Sequence, residues 1–143
     1  MFIGEYNHTV DAKGRVSMPA RFRDDLGDAF YITRGMENCL FVYDQKEWAL
    51  MDEKVRNLKL TAKSARGFSR LFYAGAMEIT FDKQGRILIP PHLREFASIE
   101  KDVVIVGVSN RIEIWSKDKW NAYLGDDSMN YDDLADALDG FDL

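Results

Sequence analysis

The sequence predicts an α+β fold of two tandem repeats, each a β-hairpin followed by a short helix, with a helical hairpin linking them. Three observations support this prediction: the second half of the chain repeats the first, each repeat contains the same tight turn, and a Pro follows each return strand. The expected divisions are 1–58 for the first repeat, 59–74 for a linker helix, 75–124 for the second repeat and 125–143 for an acidic tail.

The internal repeat is visible without gaps. A shift of 71 residues aligns Gly4–Arg23 with Gly75–Arg94, and seven of the twenty positions are identical. The identical pairs are Gly4/Gly75, Thr9/Thr80, Asp11/Asp82, Gly14/Gly85, Arg15/Arg86, Pro19/Pro90 and Arg23/Arg94. A shift of 72 continues the match as far as Trp48/Trp120. Such self-similarity indicates a duplicated structural unit.

The same elements are predicted in the same order within each repeat. A β-prone run leads through a tight turn into a short return strand, and a short helix begins after the Pro, whose fixed φ suits a helix start. Two further strands complete the repeat. In order, the elements are 5–10, 16–18, 20–26, 29–34 and 39–43, then 76–81, 87–89, 91–97, 102–108 and 111–115.

Each repeat then enters a helix that contains a Trp. After the first repeat, Asp44 is a candidate N-cap for a helix whose apolar face has three- and four-residue spacing. Thr61 is the candidate cap of a second helix ending near Ala74, and after the second repeat a helix is expected over Lys117–Leu124. The expected apolar faces are Trp48, Met51, Val55 and Leu58, then Phe68, Leu71 and Phe72.

Negative charge is concentrated at the end of the chain. The formal net charge is −5, yet seven aspartates and no Lys or Arg lie beyond residue 125, so residues 1–125 carry about +2. A basic face on the body is therefore compatible with the overall acidity. The tail is interpreted as a solvated segment, or as a weakly docked helix bearing Tyr131, Leu134, Leu138 and Phe141.

Several classes of protein are disfavoured. The longest apolar runs are too short for a membrane helix, and the N-terminus lacks the features of a secretory signal. The single Cys39, expected to be a small buried residue, fits a reducing cytoplasmic location. His8 and His92 have no evident partners, and no catalytic pairing, phosphate loop or metal-ligand spacing is present. We therefore expect neither an enzyme nor a cofactor or metal site.

The two turns contain the distinctive chemistry. Each has an Asp four residues before an Arg that starts a strand, and a two-stranded β-ribbon fits the major groove of DNA. The Arg can bind guanine and the intervening Lys residues can neutralise phosphate, while the Asp holds the Arg in place. A plain hairpin turn with a solvated ion pair is the alternative, but its duplication favours DNA binding. The candidate DNA-binding residues are Asp11, Lys13, Arg15, Asp82, Lys83, Gln84 and Arg86.

Two more arginines, Arg23 and Arg94, also repeat. We interpret them first as structural ion-pair residues or as side chains that lie along apolar surface, and second as phosphate contacts. Arg21, which aligns with His92, is a weaker candidate for a phosphate contact.

The doubled pattern Asp-x-x-Gly-Arg, followed by three strand residues and Pro, resembles the bacterial MraZ family, as does the start Met1-Phe2-x-Gly4. The resemblance covers about residues 1–124. It implies an AbrB-like swapped-hairpin fold in which the two repeats form a pseudo-symmetric β-barrel. The carried-over binding residues are Asp11, Arg15, Asp82 and Arg86. Gln84, which replaces Lys13 in the second turn, suggests unequal contributions from the two turns.

The resemblance also implies a function. Members of this family are cytoplasmic, nucleoid-associated regulators that assemble as homo-oligomeric rings. They bind double-stranded DNA at short direct repeats in the promoter of the division and cell-wall gene cluster that includes their own gene. The alternative is a protein-binding scaffold or an antitoxin-like module, in which the Asp-rich tail would contact another protein.

Overall fold

The computed structural model describes residues 1–138 and 140. In chain order it contains β1 (Phe2–Thr9), β2 (Arg15–Ser17), α1 (Ala20–Leu26), β3 (Ala29–Arg34), β4 (Leu40–Tyr43), α2 (Gln45–Arg56), α3 (Lys63–Gly75), β5 (Met77–Thr80), β6 (Arg86–Leu88), α4 (Pro91–Phe96), β7 (Asp102–Ser109), β8 (Ile112–Ser116), α5 (Lys117–Leu124), a 3-10 turn (Asp127–Met129) and α6 (Tyr131–Ala137). Most predicted bounds lie within one or two residues of these.

The main sheet exchanges strands between the repeats. Its order is β1-β7-β8-β4-β3-β5, and all neighbours are antiparallel. The first strand of each repeat therefore pairs with the hairpin of the other repeat: β1 lies beside β7, and β5 lies beside β3. Each predicted hairpin has its tight turn. The two strands that flank the turn, however, pair with strands of the opposite repeat. The α+β swapped-hairpin fold is confirmed.

A second, two-stranded sheet joins the two return strands. β2 pairs with β6 in antiparallel register, with Val16 opposite Ile87. These two residues occupy equivalent positions of the duplicated unit, so the pair lies on the pseudo-twofold axis that relates the repeats. In the main sheet the same axis passes between β4 and β8, where Phe41 pairs with Glu113. We refer to the β2–β6 sheet below as the ribbon.

Strand alternation divides the apolar residues between the two faces of the main sheet. On β4, Leu40 and Val42 face a large core shared with the ribbon, whereas Phe41 and Tyr43 face a smaller aromatic core under the helices. The ribbon contributes Val16 and Ile87 to the large core. The molecule thus has three layers: the ribbon with α1 and α4, the main sheet, and a helical layer that includes α2, α3 and α5.

The helical layer covers several aromatic side chains whose surroundings could not be predicted from the sequence. Tyr43 and Trp115 are buried in the aromatic core, and Tyr31 stacks on Trp48 with ring centroids 4.7 Å apart. Trp120 packs against Trp115 at 5.1 Å. These aromatic rings are covered by the chain's own helices, as large apolar surfaces require.

The N-cap predicted for α2 is confirmed, whereas the one predicted for α3 is wrong. The Asp44 side chain accepts a hydrogen bond of 2.8 Å from the Glu47 amide at the start of α2. Thr61 does not cap α3, because that helix begins at Lys63 after an extended Ala62.

Two predicted members of the apolar faces in the helical layer are also wrong. Leu58 lies beyond the end of α2. Leu71 is 59% exposed, although Phe72, which was predicted on the same face of α3, is buried in the aromatic core.

The acidic tail forms a short helix that buries none of its side chains. α6 spans Tyr131–Ala137, capped by the Asn130 side chain, which accepts from the Asp133 amide at 3.1 Å. Tyr131 is 86% exposed, and Leu134 and Leu138 are each a little over 40% exposed. Phe141, the fourth apolar residue expected on this helix, and the aspartates at 139 and 142 lie outside the described residues. Among those described, no helix is long and apolar enough to cross a membrane.

Candidate nucleic-acid interface

The first turn is built around one carboxylate. Asp11 Oδ1 accepts hydrogen bonds from the amides of Lys13 at 3.0 Å and Arg15 at 2.8 Å. The turn closes through the Asp11 amide, which donates to the Arg15 carbonyl at 2.9 Å. Gly14 takes a φ of +90°, a conformation that most other residues adopt only with strain. An Asp at the start and a Gly at the end therefore fix this loop, as the sequence predicted.

The second turn reproduces this geometry. Asp82 Oδ1 accepts from the Gln84 and Arg86 amides, both at 2.9 Å, and Gly85 has a φ of +73°. The backbone hydrogen bonds of the two turns are the same. The presence of Gln84 at the position equivalent to Lys13 therefore changes only the side chain presented at the apex. Lys13, Lys83 and Gln84 are all exposed there.

Each carboxylate also holds its own arginine. Arg15 Nε lies 2.7 Å from Asp11 Oδ2, and Arg86 Nε lies 2.9 Å from Asp82 Oδ2. In each turn the amide of the Arg is the main cause that keeps the pKa of the Asp below its usual value, and the Arg side chain and the amide at the turn apex act in the same direction. Both acids therefore remain ionised at neutral pH. Because each arginine hydrogen-bonds to its own Asp through Nε, its terminal guanidinium nitrogens can still donate hydrogen bonds to a ligand.

The two turns lie at opposite ends of the short ribbon, and side chains of the two turns meet across it. The Ile89 amide donates to the Gly14 carbonyl at 2.9 Å, so the end of one return strand is bonded to the turn of the other repeat. Arg86 Nη1 lies 3.7 Å from Asp11 Oδ2, across the boundary between the repeats. We call Asp11, Arg15, Asp82 and Arg86 the tip cluster. The formal charges of the tip cluster cancel, so the repulsion between its two arginines is offset by its two carboxylates. Lys13 and Lys83 supply the positive charge of this surface.

Strand alternation sets which side chains of the ribbon face outward. Val16 and Ile87 are buried in the large core. The residues before and after them therefore face away from the core: Arg15 and Ser17 on β2, and Arg86 and Leu88 on β6. Both arginines are partly exposed on this outer face, with 33% and 26% of their side-chain surface accessible. The structure thus brings all seven sequence-predicted residues to one end of the molecule.

Arg23 and Arg94 have a role that the sequence did not reveal. A Cβ added at Gly14 would lie 2.6 Å from Arg94 Cζ, and one added at Gly85 would come closer still to Arg23 Nη1. Each arginine therefore packs over the turn glycine of the opposite repeat. The internal repeat shows that Arg23 and Arg94 occupy equivalent positions. It does not show which residues they contact, because each contact is made with the other repeat. The expected ion pairs are not among the salt bridges of the described residues.

Replacing Gly14 by Ala tests this support. We expect a loss of unfolding free energy of about 1–3 kcal/mol from the positive φ, increased by the displacement of Arg94. Arg94→Ala and the double variant Gly14→Ala/Arg94→Ala are the controls, because the double variant keeps the backbone strain at Gly14 but removes the side chain that an added Cβ would displace. Urea denaturation of the three variants measures the coupling, and strictly additive losses would show that Arg94 does not constrain the turn.

Among the described residues, no group of three or more His, Cys, Asp or Glu side chains could hold a metal ion. Cys39 is buried as expected, and burial raises the pKa of its thiol, which disfavours the reactive thiolate. His8 is half-buried rather than exposed, and burial lowers its pKa. His92 has a partner after all: its Nε2 lies 3.2 Å from the Gly75 carbonyl.

Comparison with known proteins agrees with the internal duplication. A family model described as "MraZ protein, putative antitoxin-like" matches residues 1–71 and again residues 72–142. A transcriptional regulator MraZ from Finegoldia magna is 57% identical over 143 residues, all of both chains. Proteins of the same name from Ligilactobacillus salivarius and Caldanaerobacter subterraneus are 54% and 53% identical, also over all of both chains. With two family matches in tandem and relatives this similar over their whole length, the chain belongs to the MraZ family.

Proposed function

We propose that this chain is a sequence-specific DNA-binding transcriptional regulator that inserts the outer face of its ribbon into the major groove. The observation that carries the proposal is the tip cluster, in which two arginines project from adjacent strands and are each held by a carboxylate through Nε. A guanidinium fixed in this way still offers two parallel N–H groups to guanine O6 and N7. The major groove, about 12 Å wide, admits a two-stranded ribbon.

The exposed turn residues supply the remaining contacts. Lys13 and Lys83 at the two apices neutralise backbone phosphates and so fix the position of the ribbon along the groove. Gln84, unlike the Lys at the equivalent position, has an amide that can pair with adenine N6 and N7. The division of labour follows from side-chain chemistry: the arginines and Gln84 read bases, and the lysines position the protein.

Charge separation within the chain supports the same orientation. The tail follows α5, which packs on β7 and β8 in the helical layer, on the opposite side of the main sheet from the ribbon. The tail therefore begins in the layer that faces away from the proposed DNA surface. The body, with a formal charge of about +2, is the part that presents lysine and arginine to the duplex.

A single ribbon makes few base contacts, and assembly would multiply them. We propose that the chain acts as a homo-oligomer, a ring as in the family it belongs to, with several ribbons bound to direct repeats of one promoter. Linked weak contacts gain strongly in avidity when their spacing matches that of the sites. The proposed target is the promoter of the division and cell-wall gene cluster that includes its own gene, and the proposed location is the nucleoid, in the cytoplasm.

Fluorescence anisotropy with the DNA immediately upstream of the chain's own gene tests this function. We expect tight binding to that duplex, much weaker binding to a scrambled duplex of the same composition, and a linear fall of log K with log salt. The slope should be about −0.9 for each phosphate neutralised. Equal affinity for both duplexes across the salt series would contradict sequence-specific regulation and favour a protein-binding role.

A further inference from the structure

An apolar side chain lies in the middle of the charged outer face. Leu88 is 52% exposed, whereas the adjacent Ile87 is fully buried. Strand alternation forces this outcome: once Ile87 faces the core, Leu88 must face outward. Nothing in the local fold requires the outward residue to be apolar, because the equivalent position of the first repeat is Ser17. Leu88 is therefore a feature of the outer surface and not of the core.

The register places Leu88 beside a proposed base-reading group. Within the ribbon, Leu88 is directly opposite Arg15, and Ser17 is directly opposite Arg86. Side chains of directly opposed residues are neighbours on the same face, with Cβ atoms about 5 Å apart. The two halves of the outer face thus pair one arginine with a leucine and the other with a serine. A macromolecular ligand that covers the Arg15 side chain would therefore also cover Leu88.

The edges of base pairs in the major groove offer one apolar group. Hydrogen-bond donors and acceptors occupy the rest of the edge, and the 5-methyl of thymine is the group that apolar side chains contact. We infer that Leu88 contacts the methyl group of a thymine next to the base pair bound by Arg15, and so selects thymine there. Ser17, next to Arg86, has a hydroxyl that accepts many partners and would make no such selection.

This inference rests on the proposed DNA-binding function and adds a specificity determinant to it. It also makes the two halves of the ribbon unequal, because one half reads a methyl group and the other does not. A second copy of the chain could instead cover Leu88, and the test below separates the two cases.

Replacing thymine by deoxyuracil in the cognate duplex removes the methyl group and leaves base pairing intact. We expect wild-type protein to bind the uracil duplex about fourfold less tightly for each Leu88-bound methyl group removed, as the burial of a methyl-sized group implies. Leu88→Ala should bind the thymine duplex more weakly than wild type and should not distinguish the two duplexes. Single thymine-to-uracil substitutions would then locate the contacted position.

Leu124→Ala is the matched control, because Leu124 is 51% exposed and ends α5 in the helical layer. It should retain the wild-type ratio between the two duplexes. The inference is overturned if wild type does not distinguish them, or if Leu88→Ala keeps the wild-type ratio. A smaller assembly mass for Leu88→Ala with an unchanged ratio would assign Leu88 to contact between copies. If wild type binds no duplex selectively, the proposed function itself fails, and this inference fails with it.

Discussion

Replacing Arg15 and Arg86 together by Ala should weaken binding to the cognate duplex at least about thirtyfold. Each bidentate contact to guanine contributes about 1–3 kcal/mol of discrimination, and both arginines lie on the same outer face. Arg15→Lys retains the charge but not the planar pair of donors, so it should lose most of the selectivity while keeping much of the salt-dependent affinity. Anisotropy on cognate and scrambled duplexes measures both quantities.

Arg70→Ala is the control for the loss of positive charge. Arg70 is exposed on α3, in the layer on the other side of the main sheet, so its removal should leave selectivity unchanged. Thermal melting of the tip variants should stay close to that of wild type, since partly exposed ion pairs contribute about 0–1 kcal/mol. Unchanged selectivity in the double Arg15/Arg86 variant would reduce the tip cluster to a pair of structural turns.

Replacing Ile87 by Ala should lower the free energy of unfolding by about 2–5 kcal/mol. Ile87 is fully buried at the centre of the ribbon, where it pairs with Val16 and packs in the core shared by both repeats. Truncation leaves a cavity that residues from two repeats would have to fill together. Urea denaturation at one fixed protein concentration measures the loss, because any assembly makes stability concentration-dependent.

The adjacent Leu88→Ala gives a control from the same strand. That change removes a similar side chain from a half-exposed position, so we expect a loss within about 0.5 kcal/mol. The pair of variants separates the two faces of β6: one should affect folding and the other should affect DNA selectivity. Similar losses of stability in both would mean that the outer face of the ribbon is packed against something in the free protein.

Local sequence chemistry was sufficient to predict the turns and most of the elements. The Asp-x-x-Gly-Arg pattern specifies its own hydrogen bonds, since one carboxylate accepts from two amides and the Gly takes positive φ. Duplication of the pattern then predicted its second occurrence at Asp82–Arg86 with the same geometry. The cap at Asp44 was predictable for the same reason, because the interaction spans only three residues.

Contacts between the repeats could not be read from the same patterns. Alternation shows which face of β2 is apolar, but does not show whether β1 or β6 is its neighbour, because partner choice depends on the whole core. The packing of Arg94 on Gly14 is hidden for the same reason. The error at Leu71 has a different origin: a helical periodicity defines a broad apolar side, and the rotation of α3 on the sheet buries Phe72 but leaves Leu71 exposed.

The pairing of β2 with β6 across the pseudo-twofold axis has an evolutionary consequence. If this ribbon were formed by two identical chains, every substitution would appear on both sides of the axis, and only sites with matching halves would suit it. Here both sides are encoded separately in one chain, so Ser17 and Leu88, or Lys13 and Gln84, have been able to diverge. Duplication and fusion thus allowed each half of the ribbon to change independently. A ribbon with two different halves can distinguish the two directions of any linear polymer that it contacts.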